Sequence, residues 1–194
     1  MNARGPYAKG IVKREEILKT ALKLFADKGY DKVSVREIAR EAGLSQAGLL
    51  HHFSSKEELF LEALRRRDDH DGEFNERARE REHSIAHLIE AVDRNTDERG
   101  LVRLFVSMSA ESTEEDSLAY SFFVDRYAWL RTEIANDVRR HQERSELAAD
   151  LDPEDIASLL IAVADGMQLQ WLLEPEKVDM PKLLRTLWAL LQRA

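Results

Sequence analysis

The 194-residue chain is 43% hydrophobic and 34% charged, and it holds no cysteine. That apolar share builds a core and excludes wholesale disorder, while zero cysteines exclude disulfides, thiolate metal sites and cysteine nucleophiles. Net charge is -8, yet residues 1–67 hold 14 basic and 9 acidic side chains for +5, leaving -13 on the remainder. A basic front on an acidic body points to a polyanionic partner for the front alone. No signal peptide follows the polar start Met1–Pro6. The longest apolar run, Ile156 to Ala164, falls short of the ~18 residues that span a bilayer, so no membrane association and a cytoplasmic location are expected.

Long stretches of 3.6 periodicity with few glycines and prolines predict an all-α chain. Residues 1–10, with Arg4, Lys9, Gly5, Pro6 and Gly10, read as a flexible basic arm. A helix is expected from about Ile11 to Lys28, buried through Ile17, Leu18, Ala21, Leu22, Leu24 and Phe25, with Gly29 as its left-handed cap. Ser34-Val35-Arg36-Glu37 is a capping box that opens a second helix, ended by Gly43 after about two turns. Ser45 opens a third, with Leu49 and Phe53 inside. Ser55-Lys56-Glu57-Glu58 is another capping box and opens a fourth through Leu59, Phe60, Ala63 and Leu64. The charged stretch from Arg65 to His83 marks a domain boundary, with a first domain over 11–64 and a second over 65–194. Further helices are expected at about 84–94, 100–110, 116–144, 154–173 and 181–193, with Asp152 and Pro153 starting the fourth of these.

Two short helices joined through glycine form the helix-turn-helix pattern. Ala39 is small enough for close helix approach, Gly43 supplies a positive φ, and Leu49 pins the second helix to the core. An ordinary helical hairpin would share that spacing. The wider stretch 13–64 closely resembles the DNA-binding domain of the tetracycline-repressor (TetR) family. The landmarks are Ala21-Leu22-Lys23-Leu24-Phe25, Gly29-Tyr30, Ser34 to Ala39, Ala42-Gly43-Leu44-Ser45 and Phe53 to Leu59. The resemblance implies an N-terminal three-helix helix-turn-helix domain and a C-terminal helical domain for ligand binding and dimerisation. It further implies a homodimeric regulator, most simply a repressor released from an inverted-repeat operator by a small organic effector.

Carried over residue by residue, the resemblance places Ser45, Gln46, Ala47 and Gly48 at the exposed start of a recognition helix. Glutamine reads adenine bidentately, and Ala47 and Gly48 allow close approach. The amide-rich starts of the second and fourth helices suit phosphate oxygens, with Ser34 and Arg36 at one and Lys56 at the other. The chain departs from the family at Leu50, where an aromatic residue, most often a phosphate-contacting tyrosine, is usual. Leu50 retains contact with sugar carbons or a thymine methyl, and His51 and His52 are candidates for the lost phosphate contact.

Other constellations carry less. Asp68-Asp69-His70-Asp71 cannot converge on one ion, because neighbours on a helix point about 100° apart. His83 and His87 share a face but lack a third ligand, so no metal site is expected. No phosphate-binding glycine loop or nucleophile elbow is present, and neither catalysis nor a cofactor is expected. Residues 154–173 are apolar around most of the helix, and with Leu183, Leu184, Leu187, Trp188, Leu190 and Leu191 they predict a dimer interface. The segment holding Asp165-Gly166, Leu169 to Leu172 and Asp179-Met180 is similar to C-terminal domains of betaine-regulator-like members. His87, Phe105, Met108, Phe122, Arg126, Trp129, Met167 and Trp171 are the candidate lining of a pocket for a mostly apolar effector, in which cations are tolerated better than anions. The alternatives are a ligand-independent DNA binder or activator, or a helical enzyme or metal-binding protein.

Overall fold

A computed structural model describes residues 6–66 and 84–193, with side chains from Gly10 to Arg66 and from Ile85 to Arg193. The sequence candidates Asp68 to Asp71 and His83 lie outside the described residues. The chain divides into two compact units, Met1–His70 and Asp71–Ala194, so the division falls inside the charged stretch and beyond the expected 64/65 boundary.

All regular structure among the described residues is helical. In the first unit α1 spans Pro6–Lys28, α2 Val35–Glu41, α3 Gln46–His52 and α4 residues 56–66. The expected arm is therefore helical from Pro6 onward. Proline suits the first helical position because its missing N–H is one that a helix start leaves unpaired anyway. Gly10 is carried inside the helix at the ordinary cost of about 1 kcal/mol. Ile17, Ala21, Phe25, Ile38, Leu49, Phe53, Phe60 and Leu64 close the core, with Phe25 and Phe60 edge to face at 5.2 Å. Each leucine, isoleucine and phenylalanine among these contributes roughly 1.5–3 kcal/mol through burial.

In the second unit α5 spans Ser84–Asn95, α6 Arg99–Glu111, α7 Tyr120–Glu143, α8 Pro153–Leu173 and α9 Met180–Leu191. Residues 116–119, expected as helix, are turns ahead of α7. Pro181, the expected start of the last helix, lies in the first turn of α9, where the Asp179 carboxylate accepts the Lys182 N–H at 3.0 Å. Asp152 caps α8 as the sequence suggests, accepting from Glu154 and Asp155.

By length and composition α8 is apolar enough to cross a membrane. It is a core helix: Ile156, Ala157, Leu160, Ile161, Ala164, Met167 and Trp171 are all buried within the unit. The core is also pinned by one charge. Asp137 of α7, 1% exposed, accepts the Ile85 N–H at the start of α5 and the Arg140 guanidinium, both at 2.9 Å.

Candidate nucleic-acid interface

The turn between α2 and α3 is a Schellman motif built from the chain's own carbonyls. Gly43 takes φ +67°, its N–H reaches Arg40 O at 3.1 Å, and the Leu44 N–H reaches Ala39 O at 2.8 Å. A left-handed residue at this position strongly favours glycine. Ala39 is buried beneath the turn, and fully buried Leu49 fastens α3 to the core. The other three sides of α3 are not equivalent. Gln46, Ala47, Leu50 and His51 are exposed and fall one turn apart in pairs, so they form one solvent-facing stripe.

The caps hold the helix starts in place. The Ser34 hydroxyl accepts the Glu37 N–H at 3.2 Å and the Ser45 hydroxyl the Gly48 N–H at 3.0 Å. Each hydroxyl keeps its own hydrogen for a further acceptor. The Glu37 carboxyl is held below its usual pKa, chiefly because Lys28 donates to it at 2.5 Å, with the Arg40 charge and the Ser34 N–H adding to the effect. The second capping box differs from its sequence reading. The Ser55 hydroxyl does accept the Glu58 N–H at 3.1 Å, but the Glu58 carboxylate reaches past it to the N–H and hydroxyl of Ser54. These bonds hold Glu58 below its ordinary range.

An open groove brings together Ser34, Arg36, Glu37, Arg40, Gly43, Leu44, Ser45 and Gln46, joining the starts of α2 and α3. Four candidates from the sequence thus share one surface: Ser34, Arg36, Ser45 and Gln46. Arg40 was missed, although it stands four residues after Arg36 on the same face and is exposed. Gly48 is half-buried, and a Cβ there would lie 3.3 Å from Ser45 Oγ. Lys56 stands on a different support, its ammonium 4.0 Å above the centre of the Tyr30 ring. The Tyr30 hydroxyl donates to Glu57 at 3.1 Å; burial, then the Glu57 charge, pushes its pKa above the ordinary phenol range. His52 is half-buried with its ring 5.8 Å from that of His51, which alone of the pair lies on the exposed stripe.

In the second unit Phe105, Phe122 and Phe123 form an edge-to-face cluster, joined by Tyr127 and overlain by the Arg126 guanidinium 5.6 Å from Phe105. Met108, Met167 and Trp171 are buried as well. His87 is half-buried on α5, 3.5 Å from Glu90, whereas Trp129 is 38% exposed. The sequence reading missed the polar centre of this unit. The Tyr127 hydroxyl donates to Asp165 at 2.7 Å. Burial pushes the Asp165 carboxyl above its usual range, opposed by that hydrogen bond and by the Arg126 charge. Its signal in the sequence is the interruption of an apolar run at a single carboxylate. Among the described residues no three metal-ligating side chains come together.

A stretch at residues 17–63 matches the family model of bacterial regulatory proteins of the tetR family, and residues 70–194 match that of the C-terminal domain of BetI-type transcriptional repressors. The chain belongs to the TetR family of transcriptional regulators. It is 27% identical over 189 residues to the HTH-type transcriptional activator FasR of Mycolicibacterium smegmatis, covering 92% of this chain and 80% of that one. Against the HTH-type transcriptional repressor AcnR of Corynebacterium efficiens it is 31% identical over 137 residues, 70% of this chain and 55% of the relative. A regulator from Saccharomonospora viridis, solved in complex with choline, superposes with a TM-score of 0.74 at 28% identity, over 89% of this chain and 93% of that one. The family assignment makes α2 and α3 the helix-turn-helix of a DNA-binding regulator.

Proposed function

We propose that the regulator is a cytoplasmic homodimer that binds an inverted-repeat operator through residues 11–64 and is released by a small, mostly apolar effector bound within residues 65–194. The exposed stripe Gln46, Ala47, Leu50 and His51 carries the DNA reading, because a helix clamped on its other face offers these side chains to a major groove. The Gln46 amide suits adenine, and Ala47 and Leu50 suit thymine methyl groups. His51, with His52 turned from the stripe, takes the phosphate contact that a tyrosine would make at position 50. Ser34, Arg36, Arg40, Ser45 and Lys56 serve phosphates, the two serines through their remaining hydroxyl hydrogens. Gly48 allows close approach of the helix.

Dimerisation is assigned to a second face of α8. Leu159, Ala162, Gly166, Leu169 and Leu173 are all exposed at spacings of three and four, continued by Leu183 and Leu190 on α9. Small residues at its centre permit close helix approach. For the effector, Phe105, Met108, Phe122, Met167 and Trp171 supply apolar surface and Arg126 and Asp165 supply polarity, with His87 and Trp129 at its margins. The choline-bound relative supports a site that accepts an organic cation, which aromatic faces and a carboxylate both favour. The match to an activator supports a second reading in which binding recruits transcription rather than blocking it.

Selection from random-sequence duplexes by the full-length protein tests the DNA assignment. Gln46→Ala is expected to alter base preference at one position per half-site, by about 1–3 kcal/mol, whereas Lys56→Ala weakens all duplexes alike. Uniform weakening by both variants would remove α3 from the recognition role.

A further inference from the structure

Helix-turn-helix motifs leave an exposed problem at their trailing ends. The last carbonyls of α2 and α3 have no partner within their helices and carry the negative ends of the helix dipoles. Two consecutive cations on α1 meet both. The Lys13 ammonium donates to the carbonyl of Ala42, the C-cap of α2, at 2.7 Å. The Arg14 guanidinium donates to the carbonyl of His52, the last residue of α3, at 2.6 Å. Arg14 is held from two further sides, by the Phe53 ring at 4.1 Å and by Glu62 of α4 at 3.3 Å. Lys13 is steadied by Glu16 at 3.0 Å. Both cations are half-buried, and their donors point at backbone rather than away from the unit.

From this geometry we infer that Lys13 and Arg14 are positioning residues for base recognition: they set the trailing ends of the two helices against α1 and so fix the pose of the stripe on α3. The inference rests on α3 being the recognition helix. A small rotation of α3 displaces Gln46 and Leu50 from base edges while leaving the field of the basic unit intact. Specific binding therefore depends on these two contacts more than non-specific binding does. A direct phosphate role makes the opposite demand, because each lost phosphate contact lowers the salt slope by about 0.9.

The test measures binding of the full-length protein to a duplex selected from random sequence and to a scrambled duplex of equal length, over a series of salt concentrations. Arg14→Lys keeps the charge but loses the planar fork that serves His52, Glu62 and Phe53 together. It is expected to lower the ratio of selected to scrambled affinity about tenfold, with the salt slope and the scrambled-duplex affinity unchanged. Lys13→Met is expected to lower the ratio similarly, and Lys13→Arg, which still reaches the Ala42 carbonyl, to restore it. Ile17→Val serves as a destabilised control that touches neither carbonyl. If it lowers the ratio as much at matched thermal stability, or if the Lys13 and Arg14 variants leave the ratio intact or reduce the salt slope, the inference is overturned. Gln46→Ala in the same assay separates the two layers. A variant that leaves base preference unchanged removes the recognition helix itself, whereas a changed preference beside an intact Arg14→Lys ratio removes only the positioning role.

Discussion

The two units solve the same helix-packing problem by different means. In the first, α2 and α3 are seven residues each and too short to persist alone, so caps, a glycine turn and two cations from α1 hold their ends. In the second, α7 and α8 run to 24 and 21 residues and are held chiefly by buried side chains along their length. The short helices need every backbone group placed, and the exposed stripe on α3 mixes polar Gln46 and His51 with apolar Ala47 and Leu50. The long helices bury one apolar face and leave another uncovered on α8. Rigid presentation of a few atoms and adaptable burial of a large surface are thus divided between the units.

The uncovered face offers the largest expected effect. Leu159 and Leu169 are 58% and 51% exposed, so a glutamate at either leaves the core of the unit intact. In a two-fold dimer each substitution enters the interface twice, and burying unpaired charge there costs several kcal/mol. Sedimentation of Leu159→Glu is expected to show a folded monomer, with operator affinity lost. A surviving dimer would move the interface off α8. Trp188, also a sequence candidate, is a poorer probe: its ring meets His141 of α7 edge to face at 5.0 Å, and a charge there damages the unit itself.

Next in size is the buried tie of the second unit. Asp137→Ala leaves the Ile85 N–H and a half-exposed Arg140 without their shared acceptor, and is expected to cost about 3 kcal/mol of stability, read by urea denaturation. Loss below about 1 kcal/mol would show that solvent replaces the carboxylate.

A smaller effect follows from Asp165. Its folded pKa is raised by burial, so the folded state binds its proton more readily than the unfolded chain does. The charged form therefore lowers stability, a penalty absent below the ordinary carboxylate pKa and fully present once pH exceeds the folded value. Asp165→Asn, which keeps an acceptor for Tyr127, is expected to raise the melting temperature at neutral pH. The gain over the parent shrinks as pH falls toward 4. A gain independent of pH would place its origin elsewhere.

Legibility followed the same division. Ser34, Gly43, Ser45 and Asp152 act on residues two or three positions away, so local spacing revealed them. The Glu58 bond to Ser54 escaped because a carboxylate reaching back chooses between two adjacent serines, and spacing does not decide which. Asp137 with Ile85 and Tyr127 with Asp165 are pairs separated by 52 and 38 residues, joined only after the long helices pack. Lys13 and Arg14 read as plain basic charge for DNA, since nothing local shows that two helix ends lie in front of them.

The smallest expected effect compares the units on a shared motif. At the end of α7, Ser145 takes φ +58°, with its N–H on Gln142 O at 2.9 Å and the Glu146 N–H on His141 O at 2.9 Å. These are the same two bonds that Gly43 and Leu44 make after α2. The long helix of the body tolerates a serine in the left-handed position, where a side chain costs roughly 1–2 kcal/mol relative to glycine. Glycine in turn raises the entropy of the unfolded chain and returns part of that gain. Ser145→Gly is therefore expected to stabilise the second unit by about 0.5–1 kcal/mol. Gly43→Ala is expected to destabilise the first by about 1 kcal/mol and to weaken operator binding further, because the turn also aims α3. Thermal unfolding of the two variants checks the opposed signs. Destabilisation by Ser145→Gly would mean that the serine side chain contributes more than its backbone strain costs.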